Sequence, residues 1–296
     1  MMRSKHAVQE WDAELIASPV ADFGEGPLWD ARDGGLWWTD IPSGVVHRLD
    51  VDSGEDTAIP VDRTVGALVP RASGGFVVAS CDGFGVLEGG RVELIAPLNA
   101  DDPAMRMNDG KCDAAGRFYA ATMAYDPSSR TGALYRLDAD HSVHELVDGV
   151  RIGNGLAWTP DGGTLFYIDT PTRGIDAFDV DVATGALSNR RRVITIEERD
   201  GDPDGMCIDD EGALWVALWG GSAVRRYTVD GELLGVVSVP VSNVTCAAFG
   251  GDGYDELFIT TAAPRHSGST ASEPLGGALF RVRPGVTGPP PHAYGG

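Results

Sequence analysis

The chain has 296 residues, of which 43% are hydrophobic, and a formal net charge of -21. This length is ample for one large all-β unit or for two smaller domains. The strong negative charge argues against nucleic acid or an anionic membrane surface as a partner. No apolar run reaches the roughly 20 residues of a membrane span, the segment from Met1 to Glu14 lacks a signal-peptide core, and the four cysteines form no CxxC pair. We therefore expect a cytoplasmic protein.

Pairs of short apolar runs, each pair separated by a turn rich in Asp and Gly, recur along the chain. Such a pair is typical of a β-hairpin. In chain order the six pairs are 26–29 and 36–40, 66–70 and 76–80, 110–112 and 117–123, 155–159 and 164–169, 205–208 and 213–219, and 246–249 and 255–261. A second hairpin follows most pairs, so the repeat contains roughly four strands in about 40–50 residues.

A repeat of this size and strand number matches one propeller blade. A four-stranded unit cannot bury both faces alone, so neighbouring units must stack, and a closed ring protects their edges. We therefore predict an all-β fold, a six-bladed β-propeller with four-stranded blades, over residues 11–283. Residues 1–10 are expected to form an N-terminal extension and residues 284–296 a tail. Residues 11–19 are expected to add a strand to the last blade and to close the ring.

One position immediately precedes the first strand of each pair. It lies eight residues before the glycine that ends the first turn in four copies, at Asn108, Asn154, Asp204 and Thr245; Glu25 lies nine residues before its glycine, and the second copy has Val65 there. If the first strand is the innermost one, these positions face the mouth of the central channel. Carboxylate and amide oxygens without His or Cys favour Ca²⁺, Mg²⁺ or Mn²⁺ over a structural zinc. The alternative is that these residues only cap turns.

A second cluster reads Arg106-Met107-Asn108-Asp109-Gly110-Lys111 and lies at the entrance of the third copy. It combines a guanidinium, an amide, a carboxylate and an ammonium group. Such a mixture suits a polyhydroxylated or carboxylate-bearing substrate. The alternative is a solvated loop.

An ordered set of motifs, spread from about residue 20 to 282, resembles the senescence marker protein-30/gluconolactonase family, which includes regucalcin. The motifs are Gly24-Glu25-Gly26-Pro27, Arg106-Met107-Asn108-Asp109-Gly110-Lys111, Thr122-Met123, Asn154-Gly155-Leu156, Pro203-Asp204-Gly205-Met206 and Leu218-Trp219-Gly220-Gly221. The resemblance implies a six-bladed propeller and a divalent metal held by Glu25, Asn154 and Asp204. It also implies substrate contacts from Arg106 and Asn108.

In regucalcin-like members an acidic residue that touches the sugar follows a Thr-Met-Ala segment. Here that segment continues as Tyr125-Asp126, so the resemblance makes Asp126 the candidate and leaves the identity of the substrate open.

These expectations together indicate a hydrolase of carboxylic esters, a metal-dependent lactonase that opens sugar aldonolactones to aldonic acids with metal-activated water. Asp204 would be both a metal ligand and the general base. The substrate would be bound by Arg106, Asn108, Asp126 and Lys111. One divalent ion is expected, with Ca²⁺, Mg²⁺, Mn²⁺ and Zn²⁺ all open, and no nucleic-acid, membrane or protein partner.

The sequence is also compatible with two alternatives. The same scaffold could hydrolyse organophosphate triesters or non-sugar lactones. It could also be a calcium-binding propeller without catalytic activity.

Overall fold

The computed structural model describes residues 7–18, 20–268 and 272–296. These residues form 25 β-strands and three short 3₁₀ helices. The all-β prediction is therefore confirmed. No helix within these three ranges is long and apolar enough to cross a membrane.

Two strands precede the first complete blade. They are β1 (Gln9–Asp12) and β2 (Glu14–Ala17).

Five four-stranded antiparallel blades then follow one another along the chain. Blades one and two contain β3 (Gly24–Asp30), β4 (Gly35–Asp40), β5 (Val45–Asp50), β6 (Glu55–Pro60), β7 (Val65–Pro70), β8 (Phe76–Ser80), β9 (Gly83–Glu88) and β10 (Arg91–Pro97). Blades three to five contain β11 (Met105–Cys112), β12 (Phe118–Ala124), β13 (Gly132–Leu137), β14 (Val143–Val150), β15 (Gly153–Trp158), β16 (Thr164–Asp169), β17 (Gly174–Val180), β18 (Leu187–Thr195), β19 (Asp202–Ile208), β20 (Leu214–Trp219), β21 (Ala223–Tyr227) and β22 (Leu233–Ser238).

Blade six combines the two ends of the chain. It contains β23 (Val244–Gly250), β24 (Glu256–Thr261) and β25 (Leu279–Val282), and its outer strand is β2, which pairs antiparallel with β25. The expected closing strand is thus confirmed for residues 14–17. Trp11 and Asp12 of the predicted range 11–19 pair instead with blade five, and residue 19 lies outside the described residues. The fold is a six-bladed propeller, as predicted.

The first strand adds a pairing that the sequence does not predict. β1 joins the outer edge of blade five in parallel with β22, from Gln9 opposite Gly235 to Asp12 opposite Ser238. Trp11 lies against Trp215, with ring centroids 5.6 Å apart. Two residues assigned to the extension therefore belong to a sheet, whereas residues 1–6 lie outside the described part of the chain.

The innermost strands lie close together around the axis, and this explains the glycines that follow the in-phase positions. A Cβ at Gly66 would lie 2.5 Å from the carbonyl oxygen of Asn108, and one at Gly155 would lie 2.6 Å from the Cβ of Met206. Only glycine allows such an approach between neighbouring strands without a shift of the backbone.

The segment after β25 crosses the turn end of the central channel. Tyr294 is fully buried, its backbone N–H donates to the Pro70 carbonyl at 2.7 Å, and its hydroxyl donates to the Asp138 carbonyl at 2.7 Å. These contacts attach the segment to blades two and three. Residues 289–292 close one side of a cavity of about 260 Å³ in the turn half of the channel.

Candidate active site

A β-bulge interrupts the start of all six innermost strands. The register shifts between Glu25 and Leu28, Val65 and Ala67, Met107 and Gly110, Asn154 and Leu156, Pro203 and Met206, and Val244 and Cys246. A bulge bends its strand and re-aims the side chains beside it, which is why bulges are common next to active sites. Each residue found by counting lies at such a bulge.

The longer count for Glu25 has a simple structural cause. In blade one the backbone N–H of Gly34 bonds to the carbonyl of Asp30, whereas in blade five the N–H of Gly212 bonds to Asp209, so the first turn is one residue longer. The extra residue lies in the turn and leaves the strand unchanged. Glu25 therefore occupies the same place on β3 that Asp204 occupies on β19.

A chain of hydrogen bonds links the site residues of blades three and four. The amide nitrogen of Asn108 donates to Asn154 Oδ1 at 2.8 Å and to the Gly153 carbonyl at 2.9 Å. Arg106 Nη1 donates to Asn108 Oδ1 at 2.6 Å. These contacts fix the amide oxygen of Asn154, which retains a second lone pair for a further ligand.

The same chain continues to blade five. Asn154 Nδ2 donates to the hydroxyl of Thr170 at 2.7 Å, and this hydroxyl donates to the Pro203 carbonyl at 2.8 Å. Pro203 immediately precedes Asp204. The structure thus brings Arg106, Asn108 and Asn154 together beside Asp204.

Glu25 and Asp204 are buried carboxylates with very few donors. Glu25 Oε2 accepts one hydrogen bond, from the N–H of Gly26 at 2.9 Å. Within the described ranges no donor reaches the carboxylate of Asp204. Burial, followed by the charge of Asp109, raises the pKa of Glu25 to about 8. Burial and the charges of Glu25 and Asp109 raise the pKa of Asp204 well above its ordinary value.

Arg106 is the cation that faces this pair. Burial lowers the pKa of its guanidinium, while Tyr125, Glu25 and Asp204 act in the opposite direction. Arg106 therefore lies within electrostatic reach of both carboxylates.

Asp109 is a third buried carboxylate, and it is the acidic member of the 106–111 cluster that the sequence indicates. Burial raises its pKa, whereas Lys111 and the N–H of Gly110 oppose that shift. No group of three or more His, Cys, Asp or Glu side chains in the described chain could hold a metal together. Asp109 thus does not form a three-carboxylate set with Glu25 and Asp204.

The structure does not bring Lys111 and Asp126 into this hydrogen-bonded cluster. Lys111 lines the cavity of the turn half, and its Nζ donates to the Met206 carbonyl at 2.8 Å. Asp126 is exposed, and Oδ1 accepts from the N–H and the hydroxyl of Ser128 at 3.0 and 2.7 Å. Thr245 uses its hydroxyl to donate to the Gly24 carbonyl at 2.6 Å, so it joins blade six to blade one.

The residues at the mouth fit a hard divalent cation. Two carboxylates repel each other in a buried site with few donors, and a cation between them would relieve this repulsion. Glu25 and Asp204 offer carboxylate oxygens and Asn154 an amide oxygen, the donor types that Ca²⁺ and Mg²⁺ prefer. Three protein ligands leave positions for water and substrate.

Comparison with known proteins identifies the family of the chain. Residues 23–263 match the family described as "SMP-30/Gluconolactonase/LRE-like region". The chain belongs to this family. Regucalcin from Danio rerio is 38% identical over 289 residues, which cover 96% of this chain and 98% of that protein.

Two solved structures share the whole propeller. A luciferin-regenerating enzyme superposes with a TM-score of 0.88 at 31% identity, covering 96% of this chain and 99% of that one. A calcium-binding protein, regucalcin, from Agrobacterium tumefaciens has a TM-score of 0.88 at 28% identity, covering 97% and 99%. The resemblance inferred from the ordered motifs is therefore confirmed over nearly the full chain.

Proposed function

We propose that this protein is a divalent-metal-dependent lactonase that hydrolyses sugar aldonolactones to aldonic acids. The observation that carries the proposal is a buried carboxylate pair, Glu25 and Asp204, whose charges act on each other. A hydrogen-bonded chain through Arg106, Asn108 and Asn154 ends at the residue before Asp204. Membership of a family whose description includes gluconolactonase supports the reaction class.

In this proposal Glu25, Asn154 and Asp204 hold the ion. A divalent cation bound there would polarise the lactone carbonyl and stabilise the negative charge that develops on its oxygen. The ion is Ca²⁺, Mg²⁺, Mn²⁺ or Zn²⁺, and the oxygen-only donor set favours the first three.

Asp204 is the proposed general base. Because no described donor occupies its carboxylate, a lone pair is available to take a proton from the attacking water. Water adds to the carbonyl carbon, the bond from that carbon to the ring oxygen breaks, and the proton passes to the released alkoxide. The product is the open hydroxy acid.

Arg106 and Asn108 are the proposed substrate-orienting residues. Asn108 Oδ1 already accepts from Arg106, and the guanidinium can donate further hydrogen bonds to hydroxyl or carboxylate oxygens. The substrate contact of Asp126 stays a prediction, and so does that of Lys111. The cytoplasm remains the proposed compartment, since all four cysteines are free thiols.

The same oxygen set supports a second candidate, which is cation binding without turnover. The relative from Agrobacterium tumefaciens is described as a calcium-binding protein. A pH-stat assay separates the two candidates. The protein is treated with a chelator, supplied with one metal at a time, and offered gluconolactone, an unsubstituted lactone and an organophosphate triester.

The lactonase proposal expects that chelation abolishes gluconolactone turnover and that at least one divalent ion restores it. Restored turnover of the triester or the unsubstituted lactone alone would contradict the sugar substrate. Metal binding without turnover of any ester would contradict the lactonase.

A further inference from the structure

Tyr125 is the aromatic residue among the exposed large apolar side chains of the described ranges. It directly follows β12 and is 53% exposed. The others are aliphatic, namely Val8, Leu15, Val20 and Val182. An exposed aromatic ring beside a polar cleft is a common element of small-molecule sites, because it offers a rigid apolar face at low cost in conformational entropy.

The ring is fixed at the rim of the mouth by contacts on both sides. The Arg106 guanidinium carbon lies over it, 5.9 Å from the ring centroid. The phenol oxygen lies 3.3 Å from the hydroxyl of Thr64, which immediately precedes β7 of blade two. The backbone N–H of Tyr125 donates to the Ala104 carbonyl at 3.0 Å. The ring therefore bridges blades two and three.

Arg106 supplies unused donors directly beside this ring. Its Nη1 donates to the Met107 carbonyl at 3.0 Å and to Asn108 Oδ1 at 2.6 Å. In the described structure Nε and Nη2 meet no protein acceptor. The rim thus combines an apolar ring surface with two guanidinium nitrogens that no described acceptor occupies.

The carboxylate of the next residue, Asp126, makes its hydrogen bonds within its own turn. Asp126 is held in its own turn by Ser128. The corner of the mouth after β12 therefore presents the exposed ring of Tyr125.

We propose that Tyr125 is a specificity-determining residue whose ring forms one wall of the subsite for the lactone ring. The C–H face of a polyhydroxylated lactone packs against the exposed part of the Tyr125 ring, and its hydroxyl oxygens accept hydrogen bonds from Arg106 Nε and Nη2. This inference rests on the proposed lactonase function and names the chemical class that its site prefers, a lactone that carries hydroxyl groups around an apolar ring face.

The test compares Tyr125→Ala with Tyr125→Phe and Thr64→Val. The Ala variant removes the ring, whereas the other two remove only the contact between the two hydroxyls. Each metal-loaded variant is assayed with gluconolactone, with unsubstituted δ-valerolactone and with an aryl-fused δ-lactone. Binding of a stable sugar lactam, an isostere of the lactone, is measured by calorimetry in parallel.

We expect Tyr125→Ala to raise the KM for gluconolactone and the Kd of the lactam by about three- to tenfold, with a smaller change in kcat. The KM for δ-valerolactone should change by less than about twofold, because this lactone has no hydroxyl groups through which Arg106 holds it against the ring. The Phe and Val variants should resemble each other and lie close to the wild type. Calcium affinity should be equal in all four proteins.

Equal changes for both lactones, or none, would overturn the subsite while leaving the lactonase intact. A larger loss for the aryl-fused lactone than for gluconolactone would overturn the hydroxylated substrate class. A wild-type protein that neither hydrolyses gluconolactone nor binds the lactam would overturn the lactonase proposal and this inference with it.

Discussion

The two ends of one inner strand hold carboxylates that are both buried but have different surroundings. On β19, Asp204 lies at the mouth and Asp209 follows the strand at the turn, with exposures of 6% and 1%. Asp209 Oδ2 accepts from Arg226 Nε at 2.8 Å and from Trp215 Nε1 at 2.9 Å, and Oδ1 accepts from two backbone N–H groups. None of the described donors reaches Asp204.

Strand β3 repeats the contrast in another blade. At its turn end, the guanidinium of Arg32 donates to both oxygens of Asp30, at 2.8 and 2.7 Å. At its mouth end, Glu25 receives only the N–H of Gly26. The mouth-end and turn-end carboxylates are similarly buried, but they differ in the number of hydrogen-bond donors that reach them. Fully bonded carboxylates hold the turns, whereas those with few donors remain available to a cation.

The largest expected effect follows from removal of a charge at the mouth. Asp204→Asn should lower kcat/KM for gluconolactone by more than about 100-fold, because loss of a metal ligand exceeds the 10- to 100-fold cost of losing an outer-shell partner. The metal-free variant should be at least as stable as the wild type, since the change removes a buried charge with few donors. Initial rates and urea denaturation without metal check both statements.

The matched substitution at the turn end should lower stability and leave kcat/KM unchanged. Asp209→Asn leaves the guanidinium of Arg226 with the exposed carboxylate of Glu211 as its acidic partner. We therefore expect a loss of about 3 kcal/mol in the free energy of unfolding, the lower end of the cost of breaking a buried pair. The folded fraction should keep its kcat/KM. If this variant lost activity per folded molecule as Asp204→Asn does, the contrast between the two ends would be wrong.

A smaller effect is expected for a residue that positions the site. Asn108→Ala removes both the donor to Asn154 Oδ1 and the acceptor for Arg106. We expect a loss of about 10- to 100-fold in kcat/KM. Calorimetry should show weaker metal binding as well, because Asn154 loses the contact that orients its amide. Unchanged kinetics would show that Asn108 does not support the ligand set.

The last prediction concerns the pH dependence of the metal-free protein. The pKa of Glu25 is about 8 in the folded protein and 4.5 ordinarily. The protonated form is therefore favoured by folding. Its contribution to stability is complete below pH 4.5 and is lost as the pH rises through 8. The melting temperature of the metal-free wild type should fall relative to Glu25→Gln across this range. A constant difference between the two melting curves would contradict the raised pKa.

Much of this fold could be predicted from the sequence because its turn residues recur at a regular spacing. The turn glycines recur in phase, and counting from them locates Asn154 and Asp204 without any three-dimensional information. The parallel strand β1 could not be found this way, because a pairing between residues 9–12 and blade five depends on long-range packing of Trp11 against Trp215.

The position of the candidate site could be predicted from the sequence, but the hydrogen bonding of its side chains could not. Asp204 and Asp209 look alike in the sequence, since each borders the same apolar run, and the donors that distinguish them come from other strands. The bulge in β11 separates Arg106 and Asn108, which belong to the hydrogen-bonded cluster, from Lys111, which lines the turn half of the channel. The hydrogen bonds from Ser128 to Asp126 could have been predicted, because the sequence Asp-x-Ser favours an Asx turn.

Calorimetric titration of the metal-free protein with Ca²⁺ tests the central claim most directly. The wild type and Asp209→Asn should each bind one ion with similar affinity, and Asp204→Asn should lose this binding. If Asp204→Asn bound Ca²⁺ as tightly as the wild type, the mouth carboxylates would not form the metal site and the proposed function would lose its basis.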